Sequence, residues 1–195
     1  MEIELKYKLV SHLLADKIWN DFGGDGIGCR YIGAYYDTPD MGLTKSDVIF
    51  RIRSEEEECV ATLKWNSVED FGLYEREEVN VNLGPNPPND VSAAVFEGTK
   101  AFEVLKNIKD RLIPIVNIDF TRRKITLNFQ KSILELAIDE GSLEAGGRRI
   151  PLLEAEVELK KGLRQDLTDF GDKLSRTYSL EKEEKSKFSR AMEII

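Results

Sequence analysis

The feature that most constrains this chain is a period-two alternation in which the polar positions are charged. Glu2, Glu4 and Lys6 alternate with Ile3, Leu5 and Tyr7; Arg51 and Arg53 with Phe50 and Ile52; Thr62 and Lys64 with Ala61, Leu63 and Trp65. Arg76, Glu78 and Asn80 alternate with Val79 and Val81, while Arg122 and Lys124 face away from Ile125. Glu135 and Asp139 oppose Leu134, Leu136 and Ile138; Glu154, Glu156 and Glu158 oppose Val157 and Leu159. An ordinary solvated sheet face mixes Thr, Ser and Gln with its charges, whereas here arginines and carboxylates recur at i, i+2. Such side chains stand on one face roughly 7 Å apart, close enough to grip one extended polyanion or to share divalent metal. If the sheet closes into a barrel with these faces inward, cations and carboxylates share one enclosed cavity.

Eight strands are expected: the opening one, then 30–37, 48–54, 59–65, 73–81, 115–129, 132–140 and 152–160, each rich in β-branched or aromatic residues. Ser11 is the expected N-cap of a helix through LLADKIWNDF, which ends in the loop GGDGIG at 23–28. That loop is no phosphate cradle, because Cys29, Arg30 and Tyr31 follow it where a P-loop needs Lys and then Ser or Thr. LGPNPPND at 83–90 carries three prolines and cannot hold a central strand. It reads as a crossover within one domain spanning 1–195, because charged strands resume beyond a helix expected from Val91 to Lys109. An amphipathic helix fits DLTDFGDKLSRTYS, and a short charged helix fits the KEEKSKFSRAM tail.

With 195 residues and 41% hydrophobic content, the chain can bury a sizeable core. A net charge of -8 repels polyanions at long range, which argues against nucleic-acid or acidic-membrane partners and requires any anion site to be local and enclosed. No run approaches the roughly 20 apolar residues of a membrane span, and the start lacks a signal-peptide core. Cys29 and Cys59 alone give neither a disulfide framework nor a zinc spacing. A cytoplasmic location is expected.

Arginine forks match phosphate oxygens, lysines add point charge, and hard carboxylates hold Mg²⁺ or Mn²⁺. Together they suit metal-dependent phosphoryl transfer. In this light the sequence resembles the CYTH family, also called triphosphate tunnel metalloenzymes. The likeness rests on Glu2-x-Glu4-x-Lys6, YYDTPDMGL at 35–43, Arg51-x-Arg53, Thr62-x-Lys64, Arg76-x-Glu78 and Arg122-x-Lys124. It continues through ELAIDEG with Asp139, Glu156-x-Glu158, and SKFSR with Lys187 and Arg190. The resemblance implies an α+β fold: a closed, eight-stranded, mainly antiparallel β-barrel flanked by helices, taking triphosphate compounds inside with Mg²⁺ or Mn²⁺. It implies phosphate binding by Lys6, Arg51, Arg53, Lys64, Arg76, Arg122 and Lys124, with Lys187 (or Lys185) and Arg190 closing one mouth. It implies metal binding, direct or through water, by Glu2, Glu4, Glu78, Asp139, Glu156 and Glu158, with Glu2, Glu4 and Lys6 nearest the chemistry.

Glu154 is left out of the site because it lies at the expected strand's start, and Glu135 stays undecided. Arg123 and the EEEE run at 55–58 read as solvated surface or hairpin charge. His12, the sole histidine, lies on a helix away from every motif. Hydrolysis of inorganic tripolyphosphate is the first expectation. Class IV adenylyl cyclase ranks second, since the cyclases compared carry a His-Phe pair shortly before the Glu-x-Glu-x-Lys strand, where this sequence begins. Thiamine triphosphatase is third, with Trp65, Phe71 and Tyr74 as available aromatics. A non-catalytic polyphosphate binder has no use for paired metal ligands. The expected partner is a triphosphate-containing small molecule; a homodimer is left open.

Overall fold

The computed structural model describes residues 1–25, 28–86, 88, 90–108 and 111–195. Parts of the expected glycine loop, of the proline crossover and the end of the Val91–Lys109 helix lie outside these residues. Eight strands form a closed barrel: β1 (Glu2–Lys8), β2 (Cys29–Asp37), β3 (Ile49–Glu55), β4 (Glu58–Asp70), β5 (Leu73–Asn82), β6 (Ile113–Phe129), β7 (Ser132–Ala145) and β8 (Arg148–Lys161). Their order around the barrel is β1-β5-β4-β3-β2-β6-β7-β8, and β8 pairs back onto β1 with Glu4 opposite Glu158 and Lys6 opposite Glu156. Every neighbouring pair is antiparallel, and closure leaves no open sheet edge.

Helices α1 (His12–Asp21), α2 (Gly42–Lys45), α3 (Lys100–Leu105) and α4 (Arg164–Tyr178), with a 3₁₀ turn at Ala93–Phe96, cover the apolar outer faces, and α5 (Lys187–Met192) packs at one end of the lumen. Ile18 and Trp19 of α1 and Phe170 and Leu174 of α4 pack on Leu5, Tyr7, Leu136 and Val157. Phe96, Ala101 and Leu105 pack on Phe50, Leu63 and Trp65. Each such fully buried large side chain contributes roughly 1.5–3 kcal/mol, so a barrel with a polar lumen takes its stability from outside. The third cluster differs, because it lies on the same strand faces as the charges. Ile118 and Phe120 share a face of β6 with Arg122, and Leu152 shares one of β8 with Glu154; they pack with Tyr31, Tyr35, Phe188 and Ala191. The lumen is therefore charged at one end and apolar at the other, where α5 enters.

Ser11 caps α1 as expected, its Oγ accepting from the Leu14 amide at 3.2 Å. Besides β4, which runs on to Asp70 past the expected 65, three features differ from the sequence reading. The helix expected from Val91 is broken at Gly98 into the 3₁₀ turn and α3. Strands β7 and β8 are longer than expected because Gly146 and Gly147, both at positive φ, make the two-residue turn of a hairpin pairing Ala145 with Arg148. Glu154 is consequently mid-strand rather than at a strand start. The short α2 is a third difference. The Asp37 carboxylate, 1% exposed, gathers the amides of Thr38, Leu43 and Thr44 and the Thr44 hydroxyl at 2.6–2.9 Å. A carboxylate holding successive amides fixes that turn. Glycine is required at Gly33, whose missing side chain faces the backbone of Ile52 and Arg53; an added Cβ would lie 2.5 Å from the Arg53 Cα.

Candidate active site

The charged lumen is a cavity of about 450 Å³. Its wall includes Glu2, Glu4 and Lys6 of β1, Arg51 and Arg53 of β3, Lys64 of β4, and Arg76 and Glu78 of β5. It continues with Arg122 and Lys124 of β6, Glu156 and Glu158 of β8, and Lys187 of α5. Asp139 and Arg190, also expected in the site, are not on the wall; they lie behind it. Lys185 is exposed and pairs with Glu193 at 2.6 Å, so of the two tail lysines it is Lys187 that faces the cavity. Sequence reading missed Lys160, Tyr31, Tyr35 and Glu55 as wall residues, while Thr62 and Asn80, read on the charged faces but given no site role, also line it. The signal was present, since Lys160 stands two beyond Glu158, and Glu55 two beyond Arg53, on the same strand faces. Glu135, left undecided, also lines the cavity.

The EEEE run forms the β3–β4 hairpin, one of its two expected places, but Glu55 is not simply solvated: it accepts from Arg53 and is part of the wall. Arg123 is likewise no free surface charge. It pairs with Asp16 at 2.8 Å and lies over the Trp19 ring. His12 is exposed and sits 3.1 Å from Glu140, away from the cavity. None of Trp65, Phe71 and Tyr74 lines the cavity: Trp65 is in the outer core, Phe71 is 75% exposed, and the Tyr74 hydroxyl donates to the Glu184 carbonyl.

Two ion networks organise the wall. In the first, Arg76 donates to Glu2 and, at 2.6 Å, to Glu4; Lys64 lies 2.8 Å from both Glu2 and Glu78; Lys6 lies 3.0 Å from Glu4. In the second, Arg122 clasps both Asp139 oxygens at 2.6 Å and reaches Glu156. Lys187 lies 2.7 Å from both Asp139 and Glu156 and donates to Glu154. Burial pushes the Glu2, Glu78 and Glu156 carboxyls up, but the neighbouring cations outweigh it and all three are held below the usual range, Glu156 well below. Burial pushes Lys187 down, yet Asp139, Glu154 and Glu156 raise it above an ordinary lysine. Glu154 and Glu158 go the other way: burial raises both carboxyls above the ordinary value, against the pull of Lys187 and of Lys160 respectively.

Several groups remain open toward a ligand. The buried Arg51 Nε has no hydrogen-bond partner, although its Nη2 reaches Thr62 at 3.3 Å. Lys124 has no ion-pair partner among the described residues. Glu78 Oε2 is 2.8 Å from the Lys64 ammonium but off its hydrogen-bond line, leaving a buried carboxylate oxygen without a donor. Nine cationic and seven anionic side chains line the wall, an excess of two positive charges in a chain of net charge -8. An anion is drawn inside while the outer surface repels it. For a metal, the donors offered are carboxylate oxygens, with no Cys or His on the wall; that set, with the donorless Glu78 oxygen, fits Mg²⁺ or Mn²⁺ rather than a softer ion.

The CYTH domain model matches residues 1–192. The chain belongs to the CYTH family. A curated relative, the inorganic triphosphatase of Haemophilus influenzae, is 40% identical over 142 residues; the match covers 72% of this chain and 39% of the relative, so the chain spans well under half of that protein. Among solved structures, a Hippeastrum protein is described as a candidate adenylyl cyclase with a dominant triphosphatase activity. It matches with a TM-score of 0.73 at 17% identity, over 99% of this chain and 96% of that one. A candidate adenylate cyclase from Bacillus halodurans matches with a TM-score of 0.65 at 21% identity, over 95% and 94%. The PH1819 protein of Pyrococcus horikoshii matches with a TM-score of 0.64 at 20% identity, over the whole of both chains. These likenesses establish the CYTH tunnel fold: a closed eight-stranded antiparallel barrel flanked by helices. No described helix is long and apolar enough to cross a membrane.

Proposed function

We propose that this chain is a Mg²⁺- or Mn²⁺-dependent hydrolase of triphosphate compounds, with inorganic tripolyphosphate as its substrate. The observation that carries the reading is one enclosed cavity in which Arg51, Arg53, Arg76, Arg122, Lys6, Lys64 and Lys124 face Glu2, Glu4, Glu78, Glu156 and Glu158. A plain anion binder gains nothing from those carboxylates, which oppose its ligand. The named activity of the Haemophilus relative supports the same conclusion.

Arg51, with its open Nε, and Lys124, unpaired among the described residues, are the first donors for phosphate oxygens; Arg53, its guanidinium carbon 4.6 Å from the Tyr31 ring centroid, offers a fork for the same purpose. Glu2, Glu4, Glu78, Glu156 and Glu158 would hold the divalent ion, which supplies charge neutralisation at the phosphates and activation of water when bound. Glu4 also anchors Arg76 and Lys6, so one side chain joins the anion grip to the carboxylates that would hold the metal. Water attacks a terminal phosphorus and gives up its proton to solvent, the bridging P–O bond breaks, and the charge on the departing pyrophosphate oxygen meets Arg122 and Lys187. Hydrolysis is favoured over cyclisation because, among the described residues, the wall offers only Tyr31, Tyr35 and Phe188 as rings, each engaged in the apolar plug. The test is an assay of the purified chain with Mg²⁺ or Mn²⁺ against tripolyphosphate, ATP and thiamine triphosphate. Metal-dependent orthophosphate release from tripolyphosphate supports the reading, and cyclic AMP as the main product from ATP replaces it with the cyclase.

A further inference from the structure

The geometry points to Glu154, a residue off the cavity wall, as the positioning residue that fixes α5 and thereby sets the Lys187 ammonium at the cavity floor. Glu154 is fully buried in β8, and its two oxygens are divided between two cations of one helix. Oε1 accepts from Lys187 Nζ and Oε2 from Arg190 Nη2. Lys187 and Arg190 are three apart and so share a face of α5, which makes Glu154 a two-point clasp on that face. Lys187 is the only one of these three residues on the cavity wall.

The other polar anchors of α5 are few, while Phe188 and Ala191 pack into the apolar cluster. A six-residue helix does not hold its shape without tertiary support. Phe188 packs on Tyr35 with ring centroids 5.2 Å apart, and Ser186 caps the first turn through the Ser189 amide at 3.0 Å. Arg190 has one other carboxylate partner, Glu183 at 3.5 Å, a longer contact. Lys187 donates into a seat where oxygens of Asp139, Glu154 and Glu156 lie within 4.8 Å of one another, a cation-sized gap that its ammonium fills. An ammonium has three donors, and the seat supplies three acceptors. Removing the Glu154 charge deprives both cations together, whereas Asp139 and Glu156 retain Arg122. Any influence of Glu154 on a bound phosphate chain therefore passes through Lys187, and this functional part rests on the triphosphatase reading.

The experiment uses the full chain carrying Glu154→Gln, Glu154→Asp, Lys187→Met and the Glu154→Gln/Lys187→Met pair. Amide exchange without substrate is the first readout. Glu154→Gln is expected to speed exchange of residues 187–192 at least tenfold while α4 is unchanged, and Glu154→Asp to do so less. Equal exchange in α5 for wild type and Glu154→Gln overturns the proposal. Tripolyphosphate kinetics are the second: Glu154→Gln is expected to raise KM at least fivefold, Glu154→Asp to recover most of that loss, and Glu154→Gln to have no further effect once Lys187 is Met. Additive effects in the pair overturn action through Lys187. Should Glu154→Gln fail to fold, Glu154→Asp carries both readouts with the same criteria. Wild type that does not hydrolyse tripolyphosphate removes the proposed function, and the exchange readout alone then decides the role of Glu154.

Discussion

Glu4 is the residue on which the arrangement turns. It is 3% exposed, accepts from Arg76 and neighbours Lys6, so its charge is compensated by cations that the substrate also needs. Glu4→Gln keeps the shape and removes the charge. It is expected to cut kcat at least tenfold while tripolyphosphate still binds, measured by turnover and by calorimetric titration, because a lost metal contact is partly offset by reduced repulsion. Normal turnover would make the opening strand structural only. Arg53→Ala is expected to raise KM and to lower kcat to the extent that Arg53 meets charge developing in the transition state. The residues of this wall were legible because a strand's period of two is indifferent to tertiary context. Glu154 was not, because its apparent place at a strand start depended on a boundary. Nor was Asp139's setting behind the wall, which follows from the grip of Arg122 and Lys187 and leaves no mark in the spacing.

Among the elements, the strands were read well and the connections were not. Val91 to Lys109 has the apolar content of a helix, but Gly98 interrupts it, and Phe96 and Leu105 need only two short turns to cover β3 and β4. The four-residue α2 has no periodic signature, since its stability comes from the buried Asp37 carboxylate five residues before its start. Asp37→Ala strips that anchor from three amides and a hydroxyl and is expected to lower unfolding free energy by about 2–4 kcal/mol in urea titration, a buried charged hydrogen-bond set being worth more than a surface cap. At the junction of α1 and α4, burial and then the hydrogen bond to Asp21 push the Tyr178 hydroxyl up to about 12. The unfolded chain loses this proton near the ordinary value of 10 and the folded chain only later. The stability it contributes is thus complete below pH 10 and lost as pH rises toward 12. Tyr178→Phe is expected to flatten that part of the alkaline decline in Tm; an unchanged profile would deny the linkage.

At the scale of the whole molecule, the protein is a barrel turned outside in. Its apolar strand faces meet α1, α3 and α4, and its charged faces meet one another across the cavity. Closure into one barrel came from the family resemblance and agrees with the strand order observed, while the eight strands and their charged faces were legible in the alternation. The apolar plug at one end was not, because Ile118, Phe120 and Leu152 continue the charged faces without a break in period. Chelation by EDTA is expected to abolish turnover, with Mg²⁺ or Mn²⁺ restoring it, while the apolar outer clusters keep the barrel folded by circular dichroism; collapse of the fold in EDTA would assign the metal a structural role instead. The most direct test of the triphosphatase reading is product analysis after the purified chain meets tripolyphosphate and ATP separately with Mg²⁺ or Mn²⁺. Expected is orthophosphate and pyrophosphate from tripolyphosphate, lost with Glu4→Gln and absent in EDTA; cyclic AMP as the main product, with tripolyphosphate left intact, would contradict it.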